Sequence, residues 1–230
     1  TEHVDYGQMV IAPYLWRHGE KRIDHALVTH NHSDHAGGLI YLMQNFHIGR
    51  IIKSYYPDSS RLEVLVDSLA QAYGITIKQV QAGDTLHVDS KALLQILHPS
   101  RAFLQNPRNF SGLNNTSVVF KLNYGKTTFL FTGDAEIPSE QEMLRYGYDL
   151  RANVVKVGHH GSRSSSSEEF RKKVAADYAV VSVKKYNRFG LPSEDLLQQY
   201  QQQGTVVLRT DRIGAIEFRS GGYKICPIIG

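Results

Sequence analysis

Leu27-Val28-Thr29-His30-Asn31-His32-Ser33-Asp34-His35-Ala36-Gly37-Gly38-Leu39 is the stretch that decides how this chain is read. An apolar run ends in four metal-competent side chains within six residues, and a helical pattern at 37–46 follows at once. In extended backbone, residues two apart project to the same side, so His30 and His32 face one way. Asp34 and His35 fall at the turn into the next helix and can face a second ion. Gly37 and Gly38 let the backbone fold tightly behind these donors. Imidazole and carboxylate together suit zinc, manganese or iron. A surface loop that happens to be rich in histidine would not be expected to combine this spacing with a preceding strand and a following Gly-Gly.

Two further segments repeat the arrangement of an apolar strand ending in donors. Thr127–Phe131 leads into Thr132-Gly133-Asp134, where a carboxylate at a strand end could bridge two ions. By itself Gly-Asp after a strand is a common turn. Val155-Lys156-Val157-Gly158-His159-His160-Gly161-Ser162 places two histidines after another strand. Either could ligate; His159 is favoured because it comes directly off the strand.

Around these motifs the chain alternates strand and helix patterns. Strand-length runs rich in Val, Ile, Leu, Tyr and Phe lie at 26–29, 50–54, 75–80, 92–97, 116–122, 127–132, 153–157, 178–183, 205–209 and 215–219. Asn123-Tyr124-Gly125-Lys126 has hairpin chemistry. Helical patterns fall near 8–18, 37–46, 59–73, 139–146, 167–175 and 193–203. Pro138-Ser139-Glu140 and Pro192-Ser193-Glu194 open two of them, and Gly204 stops the last. The mixture predicts an α/β protein with helices outside several strands' worth of sheet. No domain boundary is evident, so residues 1–230 read as one domain.

Composition narrows the chemistry. With one cysteine, Cys226, neither an internal disulfide nor a thiolate-based zinc site can form. No apolar run reaches the roughly 20 residues of a membrane span. The 230 residues carry a net charge of +4, unevenly spread. Residues 151–192 hold nine Lys or Arg against three acidic residues, a net of +6, which suits an anionic partner such as a phosphate backbone. A solvated helix face at 168–173 with scattered lysines would give the same count. Tyr186 and Phe189, interleaved with Lys184, Lys185 and Arg188, suit stacking on a single strand, although partial burial of the two rings explains them as well. His3, His18, His25, His47 and His87 read as surface or structural residues, and Asp211-Arg212 as a turn.

His30-Asn31-His32-Ser33-Asp34-His35, Asp134 and the His159-His160 pair resemble the metallo-β-lactamase fold superfamily. Within it, Asn114-Asn115-Thr116-Ser117, Thr132-Gly133-Asp134-Ala135-Glu136, Gly158-His159-His160-Gly161-Ser162 and Asn187-Arg188-Phe189-Gly190 resemble, in order, the hydrolase domain of ComEC-type competence DNA-uptake channels. The resemblance implies a four-layer α/β/β/α sandwich whose first strands would precede Thr1. It implies a piece of a larger membrane channel protein, lying at the extracytoplasmic face of a bacterial cytoplasmic membrane. The implied reaction is metal-dependent hydrolysis of single-stranded DNA, namely the strand that is not imported, without a nucleotide cofactor.

Two divalent ions, manganese or zinc, would lower the pKa of a shared water. His30 and His32 would hold one; Asp34, His35 and His159 the other; Asp134 would bridge, and His160 would act as acid. A further ligand could be His98, Asn114 or Asn115. Asn114, Asn115, Ser117, Lys156, Ser162, Arg163 and Ser164 would steady the phosphate. Leu191 stands where members often carry a histidine. Two other classes fit the same residues: a free-standing cytoplasmic hydrolase of small esters or lactones, and a catalytically weak DNA-binding module.

Overall fold

Apolar runs separated by helix-length segments cannot pair as hairpins; they need crossovers, which yield parallel strands. The computed structural model, which describes residues 5–106 and 112–229, has that organisation. His3 lies outside the described residues. The chain divides into two compact units, Thr1–Val80 and Gln81–Gly230.

The first unit is a three-stranded parallel sheet, β1 (Arg22–Leu27), β2 (His47–Ser54) and β3 (Thr76–Val80), in that order. A helix, α1 (Ala12–Arg17), precedes it, entered through a wide turn at Gly7–Ile11. A single turn, α2 (Ser33–Ala36), and α3 (Gly38–Asn45) cross from β1 to β2; α4 (Arg61–Ala72) crosses from β2 to β3. Ser60 caps α4 by accepting from the Glu63 N–H, satisfying one of the orphan donors of the first turn. Leu39, Leu42, Met43, Val66 and Ala70 pack from these helices onto Val28, Ile48 and Ile51. A Cβ added to Gly7 would lie 2.1 Å from the Gly38 carbonyl oxygen, so two glycines are required where these backbones meet. That contact anchors the start of α3, directly behind the donor-rich turn.

The second unit holds a seven-stranded mixed sheet. Its strands are β4 (Thr85–His87), β5 (Ala92–His98), β6 (Val119–Tyr124), β7 (Thr127–Phe131), β8 (Val154–Lys156), β9 (Tyr178–Val181) and β10 (Val206–Arg209). They lie in the order β10-β9-β8-β7-β6-β5-β4, antiparallel from β4 to β7 and parallel from β7 to β10. The expected hairpin joins β6 to β7, with Tyr124 opposite Thr127. Helices α6 (Ile137–Arg145), α7 (Glu168–Val174) and α8 (Glu194–Gln202) make the parallel crossovers, and the short α5 (Arg101–Leu104) and α9 (Thr210–Ile213) punctuate loops. Val119, Leu130, Met143, Val155, Phe170, Val181 and Leu197 form the centre of a separate core. An antiparallel hairpin, β11 (Ile216–Ser220) and β12 (Ile225–Ile229), pairs apart from the sheet. The fold class is therefore α/β with mixed sheets.

Differences from expectation are local. β1 starts and ends earlier than the apolar run suggests: the Val28 N–H still bonds the Ile52 carbonyl, but the chain then leaves the sheet. β4 is only three residues long, too short for an alternation to show, and Pro227 within β12 argues against a strand unless it lies at an edge.

Helix α7 ends on Ala175, which takes a left-handed conformation at φ 44° and donates to the Arg171 carbonyl. A Cβ there costs about 1 kcal/mol relative to glycine. Ala175→Gly is expected to raise the urea midpoint by an amount equivalent to about 1 kcal/mol; an unchanged or lower midpoint would contradict this reading of the cap.

Candidate metal centre

The donors of the first unit sit where β1 ends. Val28 is the last residue held to the sheet, and His32 already precedes helix α2 with extended backbone at φ −69°, ψ 147°. Between them the chain turns so that three imidazoles gather. His30 Nε2 lies 3.0 Å from His32 Nδ1, with the rings nearly perpendicular. The Thr29 hydroxyl lies 3.2 Å from His30 Nδ1 and 3.4 Å from His35 Nδ1, so one side chain orients two rings. With its proton on Nδ1 toward Thr29, His30 presents the Nε2 lone pair toward His32. His35 Nε2 lies 3.7 Å from Asp34 Oδ2 in the first turn of α2. His30 is buried, whereas Asp34 is exposed.

In the second unit the parallel pairing of β7 and β8 places their carboxyl ends side by side, with Phe131 opposite Lys156. The Thr132 hydroxyl donates to the Lys156 carbonyl and ties the two exits together. Asp134 and the His159-His160 turn follow from adjacent strands. Ligand sites of open α/β sheets lie outside such strand ends.

Asp134 is 3% exposed, and its backbone N–H donates to the Ser117 hydroxyl. His160 Nδ1 donates to the Ser182 carbonyl at 2.7 Å. A carbonyl only accepts, so the proton is on Nδ1 and the lone pair on Nε2, which lies 3.5 Å from Asp134 Oδ2. Both histidines have positive φ, 44° for His159 and 52° for His160, a left-handed conformation that costs a non-glycine residue about 1 kcal/mol.

His159 faces another group. Its Nδ1 is 3.1 Å from Glu136 Oε1 and from Ser164 Oγ, and Asn114 Nδ2 lies 3.4 Å from the ring. The structure thus sets His160 beside Asp134, and His159 among Asn114, Glu136 and Ser164, where the order along the strand had favoured His159 as the ligand.

The remaining candidates divide by what already occupies them. His98 is fully buried, with Nδ1 on Glu142 and Nε2 on the Asn115 carbonyl, so neither ring nitrogen is left for a metal. Both ends of the Asn115 amide are used: Nδ2 donates to Glu136, and Oδ1 accepts from the Glu136 N–H and the Ser139 hydroxyl. Asn114 Oδ1 has no hydrogen-bond partner among the described residues. Lys156 donates to the Gly133 carbonyl and lies 3.6 Å from Asp134 Oδ1. Arg163 is bound to Ser193 and Asp195. Ser162 bonds Ser164, which donates to Glu136.

Thr29, Glu136 and Ser182 carry no signal of their own in the sequence. The first two adjoin the motifs, at one residue before His30 and two after Asp134. The third acts through its carbonyl, which no residue pattern reveals.

These donors fit a divalent cation. Imidazole lone pairs whose other nitrogen is committed to a hydroxyl or carbonyl, together with buried carboxylate, are the usual ligands of zinc and manganese.

Comparison with known proteins agrees with this chemistry. The model of the metallo-beta-lactamase superfamily matches residues 2–183. The chain is 32% identical to ComE operon protein 3 of Bacillus subtilis (strain 168) over 96% of its own length and 28% of that protein's. It is 27% identical to competence protein ComA of Neisseria gonorrhoeae over 96% of its own length and 29% of that protein's. The chain therefore spans less than a third of the length of these relatives. Among solved structures, CmlA, a diiron beta-hydroxylase from Streptomyces venezuelae, superposes over 82% of this chain and 44% of its own with a TM-score of 0.54 at 16% identity, a likeness of fold alone.

Proposed function

Because the chain belongs to the metallo-β-lactamase superfamily, we propose that it is a metal-dependent hydrolase of DNA phosphodiester bonds that acts on a single strand during DNA uptake. The observation that carries the reading is the similarity to competence proteins over 96% of the chain, with His30, His32, Asp34, His35, Asp134 and His160 all present. A pair of divalent ions, manganese or zinc, is inferred from the motifs and the family.

In this reading His30, His32, Asp34 and His35 are ligands of the first unit, and Asp134 and His160 of the second. When bound, the ions would acidify a water and neutralise charge on the phosphate. The chain's own residues do the rest. The Ser182 carbonyl would hold the His160 proton on Nδ1, away from Nε2, and Thr29 would orient the His30 and His35 rings. Ser117 fixes the backbone of Asp134. Glu136 and Ser164 orient His159, which would pass a proton to a leaving oxygen. The Asn114 Nδ2 amino group, 3.4 Å from the His159 ring, would donate to a phosphoryl oxygen. The domain would work as part of a larger membrane channel protein, at the extracytoplasmic face, with the channel domain of the same polypeptide as its partner.

The test is cleavage of an end-labelled single strand. Turnover with Mn²⁺ is expected, with loss on chelation and in Asp34→Ala. Hydrolysis of a lactone or simple ester without DNA cleavage would overturn the substrate. Salt-dependent DNA binding with no turnover under any metal would overturn the reaction.

A further inference from the structure

Resting on that reading of the substrate, we propose that the loop from Ser182 to Ser193 is a stacking platform that receives single-stranded nucleic acid and leads it to the His159-His160 turn. Tyr186 is 81% exposed and Phe189 69% exposed, so neither ring belongs to a core. With Tyr223, these are the most exposed aromatic side chains among the described residues, and between Val183 and Ser193 the loop adds Lys184, Lys185 and Arg188 with no acidic residue.

The loop is built to hold these groups outward. The Asn187 side chain uses its whole hydrogen-bonding capacity on it: Nδ2 donates to the Lys184 and Leu191 carbonyls, and Oδ1 accepts from the Phe189 and Leu191 N–H groups. Four bonds from one amide fix the backbone without burying either ring. The Lys185 ammonium lies 5.7 Å from the Tyr186 ring centre, and the Arg188 guanidinium 4.9 Å from that of Phe189. Each cation stands over its ring while the side chain stays largely exposed.

Both ends of the loop are tied to the turn that carries the histidines. The Ser182 carbonyl accepts from His160, and the Ser193 N–H donates to the Gly161 carbonyl. A Cβ on Gly161 would meet Pro192 at 2.6 Å, so the turn and the loop are in backbone-close contact.

Aromatic faces interleaved with cations recognise unpaired bases and their phosphates without regard to sequence. A duplex, whose bases are stacked on one another, offers the rings nothing. The same composition could instead seat at an anionic lipid surface, and the experiment separates the two.

Binding of a fluorescent oligothymidylate is measured by anisotropy in EDTA, which prevents cleavage. Tyr186→Ala/Phe189→Ala, with an unchanged melting temperature, is expected to weaken it about tenfold or more. Tyr186→Phe should bind as the wild type does. Replacing Lys184, Lys185 and Arg188 with Gln should lower the salt slope by about two. Unchanged affinity in the folded double variant overturns the platform. So does loss of binding to vesicles of phosphatidylglycerol and phosphatidylcholine with oligonucleotide affinity intact. Hydrolysis of bis(p-nitrophenyl) phosphate by the wild-type protein reports the metal centre separately. Its absence, with oligonucleotide binding still lost in the double variant, would remove the proposed reaction and leave the platform standing.

Discussion

Asp134→Asn is expected to lower hydrolysis by about a thousandfold or more while the protein stays folded. The carboxylate is buried, and its position is set by the backbone bond to Ser117 at the exit of β7, which the substitution does not touch. Within the second unit, His160 Nε2 lies 3.5 Å and Lys156 Nζ 3.6 Å from its oxygens, each longer than the roughly 2.8 Å of a charge-assisted hydrogen bond. An amide of the same shape keeps the packing but removes one formal charge and one strong ligand oxygen. Turnover of a labelled strand with Mn²⁺ and metal content by mass spectrometry should fall together. If Asp134 only neutralised Lys156, the variant would lose melting temperature and keep its rate, and that result would end its assignment as a ligand.

Glu142→Ala is expected to destabilise the second unit by about 3–5 kcal/mol, the cost of removing one partner from a buried ionic pair. Glu142 accepts from His98 Nδ1 at 2.6 Å and from the Ser100 hydroxyl. His98 in turn donates to the Asn115 carbonyl, and Asn115 holds Glu136 beside His159. The network therefore joins β5 and α6 to the loop that bears the candidate chemistry. Burial alone would raise the Glu142 pKa, but hydrogen bonds from His98 and Ser100 and the nearby His98 charge outweigh it and hold the carboxyl below its ordinary 4.5. A depressed carboxyl contributes stability that is complete above its unfolded value and is lost as pH falls through the folded one. Urea unfolding of the wild type should thus weaken below about pH 4.5, and Glu142→Gln should flatten that dependence. A variant within about 1 kcal/mol of the wild type, with the same acid dependence, would show that the pair is dispensable.

Much of this protein is legible one residue at a time. His30, His32, Asp34 and His35 are recognisable because neighbours in sequence are neighbours in space at a strand end, and period and spacing alone set which way they point. The major elements follow from apolar runs and stop signals for the same reason: their causes are local. The family follows from the order of several such motifs.

Other properties depend on contacts between residues far apart in the chain. His159 and His160 are chemically identical. What separates them is a carbonyl at Ser182, 22 residues on, which takes one proton, and Glu136, 23 residues back, which takes the other ring. His98 reads as a possible ligand until β5 and α6 pack and Glu142 and Asn115 fill both its nitrogens. Lys156 and Arg163 read as phosphate donors, and the structure shows them also bonding the Gly133 carbonyl and Asp195, 23 and 32 residues away. Tyr186 and Phe189 differ in kind: the sequence allowed burial or exposure, and the structure leaves both exposed on a loop held by the local bonds of Asn187. The sequence by itself determined which side chains can do chemistry at the strand ends. The tertiary structure decided which of them are left to do it, because a donor or acceptor already satisfied by its own protein has little left to offer a metal or a substrate.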